Sequence, residues 1–197
     1  MHLTAAKKGT AAGLLLLFLA GAAFGASPLA RPQPAAAAAS TQNWRSIQIA
    51  NDKLERLQTV AGEFRKVGES IDLSLRSLPG NHASHSYKLN EAREKLNRAA
   101  VLLADLESMK HELEPWQQQA IERVTPIAAQ AAAHTRAAIR HLNERPHARI
   151  VPEYTDQLRG IVDHSVAMKR TIDGFLDYAD SQNRVQELEA SLDIERS

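Results

Sequence analysis

The segment from residue 47 to residue 78 repeats apolar residues at alternating steps of three and four, which is the spacing of a coiled-coil seam. The seam residues are Ile47, Ala50, Leu54, Leu57, Ala61, Phe64, Gly68, Ile71, Leu75 and Leu78. Such a seam indicates which side of a helix is buried, but it identifies no substrate, cofactor or reaction. Gly68 lacks a side chain, so it predicts either the closest approach of a neighbouring helix or the edge of a cavity.

Three later segments have the same spacing, so the sequence predicts four amphipathic helices. Their predicted ranges are 42–78, 86–113, 115–143 and 153–180. The connections between them are short, and helices joined in this way are usually antiparallel neighbours. The predicted fold is therefore all-α: an antiparallel up-down-up-down four-helix bundle over residues 42–180.

Residues 1–26 have the pattern of a secretory signal peptide, because Lys7 and Lys8 precede an apolar run at residues 11–23. Cleavage could fall anywhere from about residue 22 to residue 39, and an uncleaved membrane anchor is the alternative. Residues 27–41 are rich in proline and alanine and predict a flexible spacer. We therefore expect an exported protein, periplasmic or extracellular, with no stable membrane span after cleavage.

The charge of the mature chain is nearly balanced. Removal of the first 39 residues takes away three cationic residues and no acid, which leaves 21 lysines and arginines against 23 acids. This balance does not favour nucleic acid as a partner. The chain contains no cysteine, so disulfides and thiolate metal sites are excluded.

Residues 181–197 continue past the predicted bundle in a charged background that includes Val185, Leu188 and Leu192. This segment predicts a helical extension or tail, and the alternative is a short coil through which two copies would form a homodimer. We favour the extension because short isolated helices are only marginally stable in water.

The predicted topology gathers large aromatic residues at the end of the bundle where the third helix begins. Trp44, Trp116 and Tyr178 should meet there, with Met109 and Phe175 nearby. These side chains could close the core against water. The alternative is a binding patch, because tryptophan and tyrosine are enriched at recognition surfaces.

The opposite end should hold both longer loops and four histidines, His82, His85, His141 and His147. Imidazole nitrogens bind zinc, copper and nickel, so these four residues are the candidate metal ligands. The alternative interpretation is a set of solvated loop histidines, because spacing within a loop does not preset ligand geometry.

The segment Leu113–Ile121 resembles helix starts of small helical stress proteins of the bacterial cell envelope. Proteins of that kind act as chaperones or metal-responsive regulators, so the resemblance implies a chaperone-like role. It covers one helix start and implies no functional residue.

No catalytic motif for hydrolysis, metal-dependent proteolysis or phosphate transfer occurs in the sequence. We therefore expect a non-enzymatic protein without a cofactor, which acts as an interaction, structural or chaperone-like module and binds another envelope or secreted protein. The alternative is a helical bundle that binds a small ligand or a metal at the histidine-bearing end.

Overall fold

A computed structural model describes residues 34–76, 82–144 and 151–195, with the side chains of residues 43–76, 83–144 and 151–192. This part of the chain contains four α-helices, one 3-10 turn at Lys110–Glu112 and no strand. The helices are α1 (Pro34–Arg76), α2 (His82–Ser108), α3 (Pro115–Glu144) and α4 (Pro152–Glu195). The predicted all-α fold is therefore confirmed, and the four helices pack side by side as a helical bundle.

Each helix turns its predicted seam toward one shared core. Every seam residue whose side chain is described is buried or half-buried, from Ala50 and Phe64 in α1 to Met168 and Ile172 in α4. Burial of an apolar side chain stabilises the fold by about 25 cal/mol for each Å² removed from water. The seams therefore supply the main driving force for association of the helices.

α1 is longer than the sequence predicts, and α4 runs on into the segment for which the sequence favours a helical extension. α1 begins at Pro34 instead of residue 42, so the predicted flexible spacer at residues 27–41 is helical from Pro34 onward. A proline in the first turn followed by an alanine run strongly favours a helix, which explains the difference. α4 continues to Glu195, so the segment after residue 180 is a helical extension, and its side chains at residues 181–192 are all exposed.

Where neighbouring helices are in contact, residue numbers increase along one helix while the numbers of their contact partners decrease along the other. α1 packs against α2 and α4, and α3 packs against the same two helices. Lys53 of α1 forms an ion pair with Asp105 of α2, whereas Ser70, further along α1, accepts a hydrogen bond from Lys88. The α3–α4 contacts follow the same relation: Gln130 with His164 and His134 with Gln157.

Gly68 lies at a close contact between α1 and α4. A Cβ atom built on Gly68 would overlap the hydroxyl of buried Ser165 and lie 3.0 Å from the Ser165 Cβ. Of the two alternatives for this glycine, close helix approach is therefore correct, and the cavity edge is wrong.

Within the described ranges, no helix is long and apolar enough to cross a membrane. The predicted signal peptide at residues 1–26 lies outside those ranges.

Candidate functional site

Trp44 of α1, Trp116 of α3 and Tyr178 of α4 line one groove of about 580 Å³. We call it the aromatic groove. Trp44 is 61% exposed and Tyr178 is 49% exposed, while Trp116 is half-buried. Trp44 and Tyr178 therefore do not seal the core, and their rings are accessible from solvent.

Gln117 joins the beginning of α3 to α1 beneath this groove. Its side chain is completely buried, and its Nε2 donates to the Ile47 carbonyl at 3.1 Å and to Asn51 Oδ1 at 2.7 Å. Its Oε1 accepts from the backbone N–H of Glu114 at 3.0 Å, which is half of a capping box. Gln117 thus fixes the position of α3 relative to Trp44 on α1.

Gln117 is not among the residues that were predicted from the sequence. The available signal is its spacing, because it lies four residues before Ile121 and therefore at a seam position of the third helix. A polar residue at such a position must find partners when it is buried. The partners themselves lie on another helix, about 66 residues away.

The orientation of Trp116 is fixed by a local hydrogen bond. Its Nε1 donates a hydrogen bond to Glu114 Oε2 at 2.7 Å, which holds the edge of the ring. The ring itself lines the aromatic groove. A second contact, from Ser46 of α1 to Glu112 of the 3-10 turn, ties the α2–α3 connection to α1 at the same end. The aromatic groove is therefore preorganised by contacts among α1, α3 and the 3-10 turn.

The aromatic groove is acidic. Glu55, Glu114 and Asp180 line it, and the described lining residues include no lysine or arginine. Carboxylates that line one concave surface produce a negative potential that attracts cationic groups. The groove therefore combines accessible aromatic rings with an acidic rim.

The histidine-bearing end differs from its prediction. His82 and His85 lie in the first turn of α2 instead of a loop. His85 is buried, and its Nδ1 shares a hydrogen bond of 2.9 Å with the hydroxyl of buried Tyr154. Packing against Tyr154 explains the early helix start, because helices in proteins gain most of their stability from tertiary contacts.

Two of the four candidate metal ligands meet at Tyr154. The His85 and His141 rings both stack on the Tyr154 ring, with centroid distances of 5.8 and 5.0 Å. The side chain of His82 and all of His147 lie outside the described residues. Among the side chains that are described, no group of three or more histidines and carboxylates could hold a metal ion. The metal site remains a prediction.

We expect the Tyr154→Phe variant to lose about 1 kcal/mol of stability at neutral pH, because the hydrogen bond to His85 is removed. Burial raises the pKa of the Tyr154 phenol above its usual value of 10.0. Above pH 10 the phenol therefore ionises in the unfolded chain before it does so in the folded one, and wild-type stability falls. Urea unfolding between pH 7 and pH 11 should show that the difference in free energy of unfolding between variant and wild type becomes smaller at alkaline pH.

The exposed Tyr87 provides the control for this measurement, since Tyr87→Phe should keep the wild-type profile. A constant gap between Tyr154→Phe and wild type across the whole range would contradict the expectation.

A second histidine pair, which was not predicted from the sequence, joins α3 and α4. The rings of His134 and His164 lie 5.3 Å apart between centroids. The His134 ring covers Gly160, where a Cβ atom would lie 2.7 Å from three ring atoms, and its Nδ1 bonds Gln157 Oε1 at 2.8 Å. His164 bonds the Gly160 carbonyl at 2.6 Å and Gln130 at 2.7 Å. Residues so far apart in sequence are paired only by helix packing.

Comparison of this chain with family models, with curated proteins and with solved structures finds no match. The implied chaperone-like role of the Leu113–Ile121 segment therefore stays a prediction.

Proposed function

We propose that this chain is an exported, non-enzymatic protein of the cell envelope that binds another protein through the aromatic groove. The observation that carries the proposal is the exposure of Trp44 and Tyr178 around one groove with Trp116. Tryptophan and tyrosine dominate the energetics of protein interfaces, and a large exposed aromatic patch is costly unless it is covered by a partner. An interaction, structural or chaperone-like role fits such a surface.

The acidic rim supports a partner of defined chemistry. Glu55, Glu114 and Asp180 would attract a segment that presents an apolar side chain flanked by lysine or arginine. The apolar side chain would enter between the aromatic rings, and the cationic groups would meet the carboxylates at the rim. Complementary charge mainly raises the association rate, so binding should weaken as the salt concentration rises.

Three further parts of the proposal rest on separate observations: the helix order, export and a homodimer. The antiparallel up-down-up-down order is supported by contacts between helices. Lys53 of α1 contacts Asp105 of α2, whereas Ser70, later in α1, contacts Lys88, earlier in α2. Export is supported by the composition of residues 1–26. A homodimer through the extension of α4 is supported by the exposed side chains of Val185, Leu188 and Leu192.

The proposal is tested by photo-cross-linking of the full chain in the organism that makes it. A benzophenone amino acid at Gln48, which lines the aromatic groove, should give one adduct of defined mass. The same probe at Asn90, an exposed position on α2, is the control and should give none. Equal labelling from both positions would count against the proposed groove.

The contribution of the aromatic side chains is measured in the same assay. Replacement of both Trp44 and Tyr178 by alanine should remove most of the Gln48 adduct, because these rings form the proposed binding surface. Replacement of Tyr87, which is 71% exposed on α2, is the matched control and should leave the adduct unchanged. An adduct that survives the double substitution would refute binding through the aromatic groove.

A further inference from the structure

A second groove lies between α3 and α4, on the other side of Trp116 and Tyr178. Its volume is about 450 Å³, which is within the range of sites that hold small organic ligands. Arg123 of α3 and Arg170 of α4 line it, so we call it the arginine groove. It shares Pro115, Trp116 and Tyr178 with the aromatic groove, and its other lining residues are different.

The arginine groove carries positive charge without a compensating acid. The described residues that line it include two arginines and no aspartate or glutamate. Guanidinium groups bind carboxylates through two parallel hydrogen bonds, which gives both affinity and orientation. The groove therefore suits an anionic group.

Aromatic rings form the apolar part of the same groove. Trp116, Phe175 and Tyr178 line it, and the Arg123 guanidinium lies over the Phe175 ring at 6.0 Å from the centroid. This cation–π contact and the hydrogen bond from Trp116 to Glu114 hold two lining side chains in place before a ligand arrives. Flat aromatic rings stack favourably on such walls, and preorganised walls lower the entropic cost of binding.

Gly174 leaves the floor of the arginine groove open. It is an exposed glycine inside α4, and a Cβ atom built there would meet no described atom within 4 Å. Glycine inside a helix is less stable than alanine, and at this position no packing contact requires it. Its effect on the structure is to preserve space between the aromatic wall and the two arginines.

The geometry points to the arginine groove as a binding site for a small aromatic carboxylate. The carboxylate group binds between Arg123 and Arg170, and the ring stacks against Trp116 over Gly174. Gln119 and Thr171 supply uncharged polar groups at the same wall. This inference is independent of the partner proposed for the aromatic groove.

The test uses the two tryptophan indole N–H signals of the ¹⁵N-labelled full chain, which the Trp44→Phe variant assigns. Titration with 2-naphthoate should move the Trp116 signal in a saturable way and leave the Trp44 signal in place. The neutral analogue 2-naphthalenemethanol should bind at least about tenfold more weakly, because charge-assisted hydrogen bonds are absent. Equal affinity for the two compounds would overturn the proposal, as would equal affinity for inorganic phosphate alone.

Two sets of variants locate the site. Gly174→Leu places a bulky side chain in the groove at a position where the Cβ atom meets no described atom within 4 Å, so it should abolish the Trp116 shift while the thermal midpoint is kept or raised. Replacement of both Arg123 and Arg170 by glutamine should weaken 2-naphthoate at least about tenfold. Replacement of both Arg140 and Arg159, which do not line the groove, is the matched control and should not change the affinity. Unchanged binding in the Gly174→Leu variant would exclude this groove as the site.

Discussion

Replacement of Gly68 by alanine should destabilise the protein by about 1–3 kcal/mol, although alanine is the better helix former. The added methyl group would overlap the Ser165 hydroxyl and crowd the Ser165 Cβ, and both residues are buried at the α1–α4 contact. α1 and α4 must then separate, or Ser165 must move. Urea unfolding monitored by circular dichroism measures the loss.

Two controls assign this loss to the contact between α1 and α4. Gly174→Ala adds the same methyl group where no described atom lies within 4 Å, and it should stabilise the protein by up to about 1 kcal/mol. Ser165→Gly in the Gly68→Ala background removes the overlapping atoms, so the double variant should recover part of the loss. A Gly68→Ala variant as stable as Gly174→Ala would disprove the close approach.

Replacement of Gln117 by glutamate should cost about 2–3 kcal/mol at neutral pH, even though the two side chains have nearly the same shape. Nε2 of Gln117 donates to two oxygens, the Ile47 carbonyl and Asn51 Oδ1, and a carboxylate oxygen in its place would face both without a proton. The side chain is completely buried, so water cannot compensate. The beginning of α3 would lose its connection to α1.

The Gln117→Glu variant should also gain stability, relative to wild type, as the pH falls. Burial, together with the two acceptor oxygens that face the side chain, favours the protonated carboxyl. The pKa of this carboxyl is therefore higher in the folded chain than in the unfolded chain. A group whose pKa is higher in the folded chain than in the unfolded chain stabilises the fold at pH values below its unfolded pKa. This stabilisation is lost as the pH rises through its folded pKa. Unfolding at pH 4 and pH 7 measures the effect, and Gln119→Glu, exposed on the same turn, is the control. An equal loss of stability at pH 4 and pH 7 would contradict a buried site in which two acceptor oxygens face the side chain.

The core and the helix faces could be predicted from the sequence, because they depend on local periodicity. All seam residues with described side chains, including the glycine at position 68, are buried or half-buried. The helix ends were less predictable. α1 reaches back to Pro34 because of local propensity in the alanine run, whereas the early start of α2 depends on the distant contact between His85 and Tyr154.

The candidate sites were predicted only in part. The sequence placed Trp44, Trp116 and Tyr178 at one end, and the structure places them around one groove. It left open whether these rings close the core or form an exposed patch, because the exposure of Trp44 and Tyr178 depends on how the neighbouring helices pack. Gln117 and the arginine groove also depend on partners from other helices, and no local pattern reveals those partners.

The sequence by itself determined an all-helical chain with four apolar seams, since burying one face of each helix follows from residue spacing and the hydrophobic effect. Tertiary structure alone decided which residues meet, such as Gly68 with Ser165 and Gln117 with Asn51, and that Arg123 and Arg170 line the same groove. The physical reason is axial register. Periodicity sets which direction a residue faces, but the relative shift of two helices along their axes is set by turn lengths and close contacts over the whole bundle.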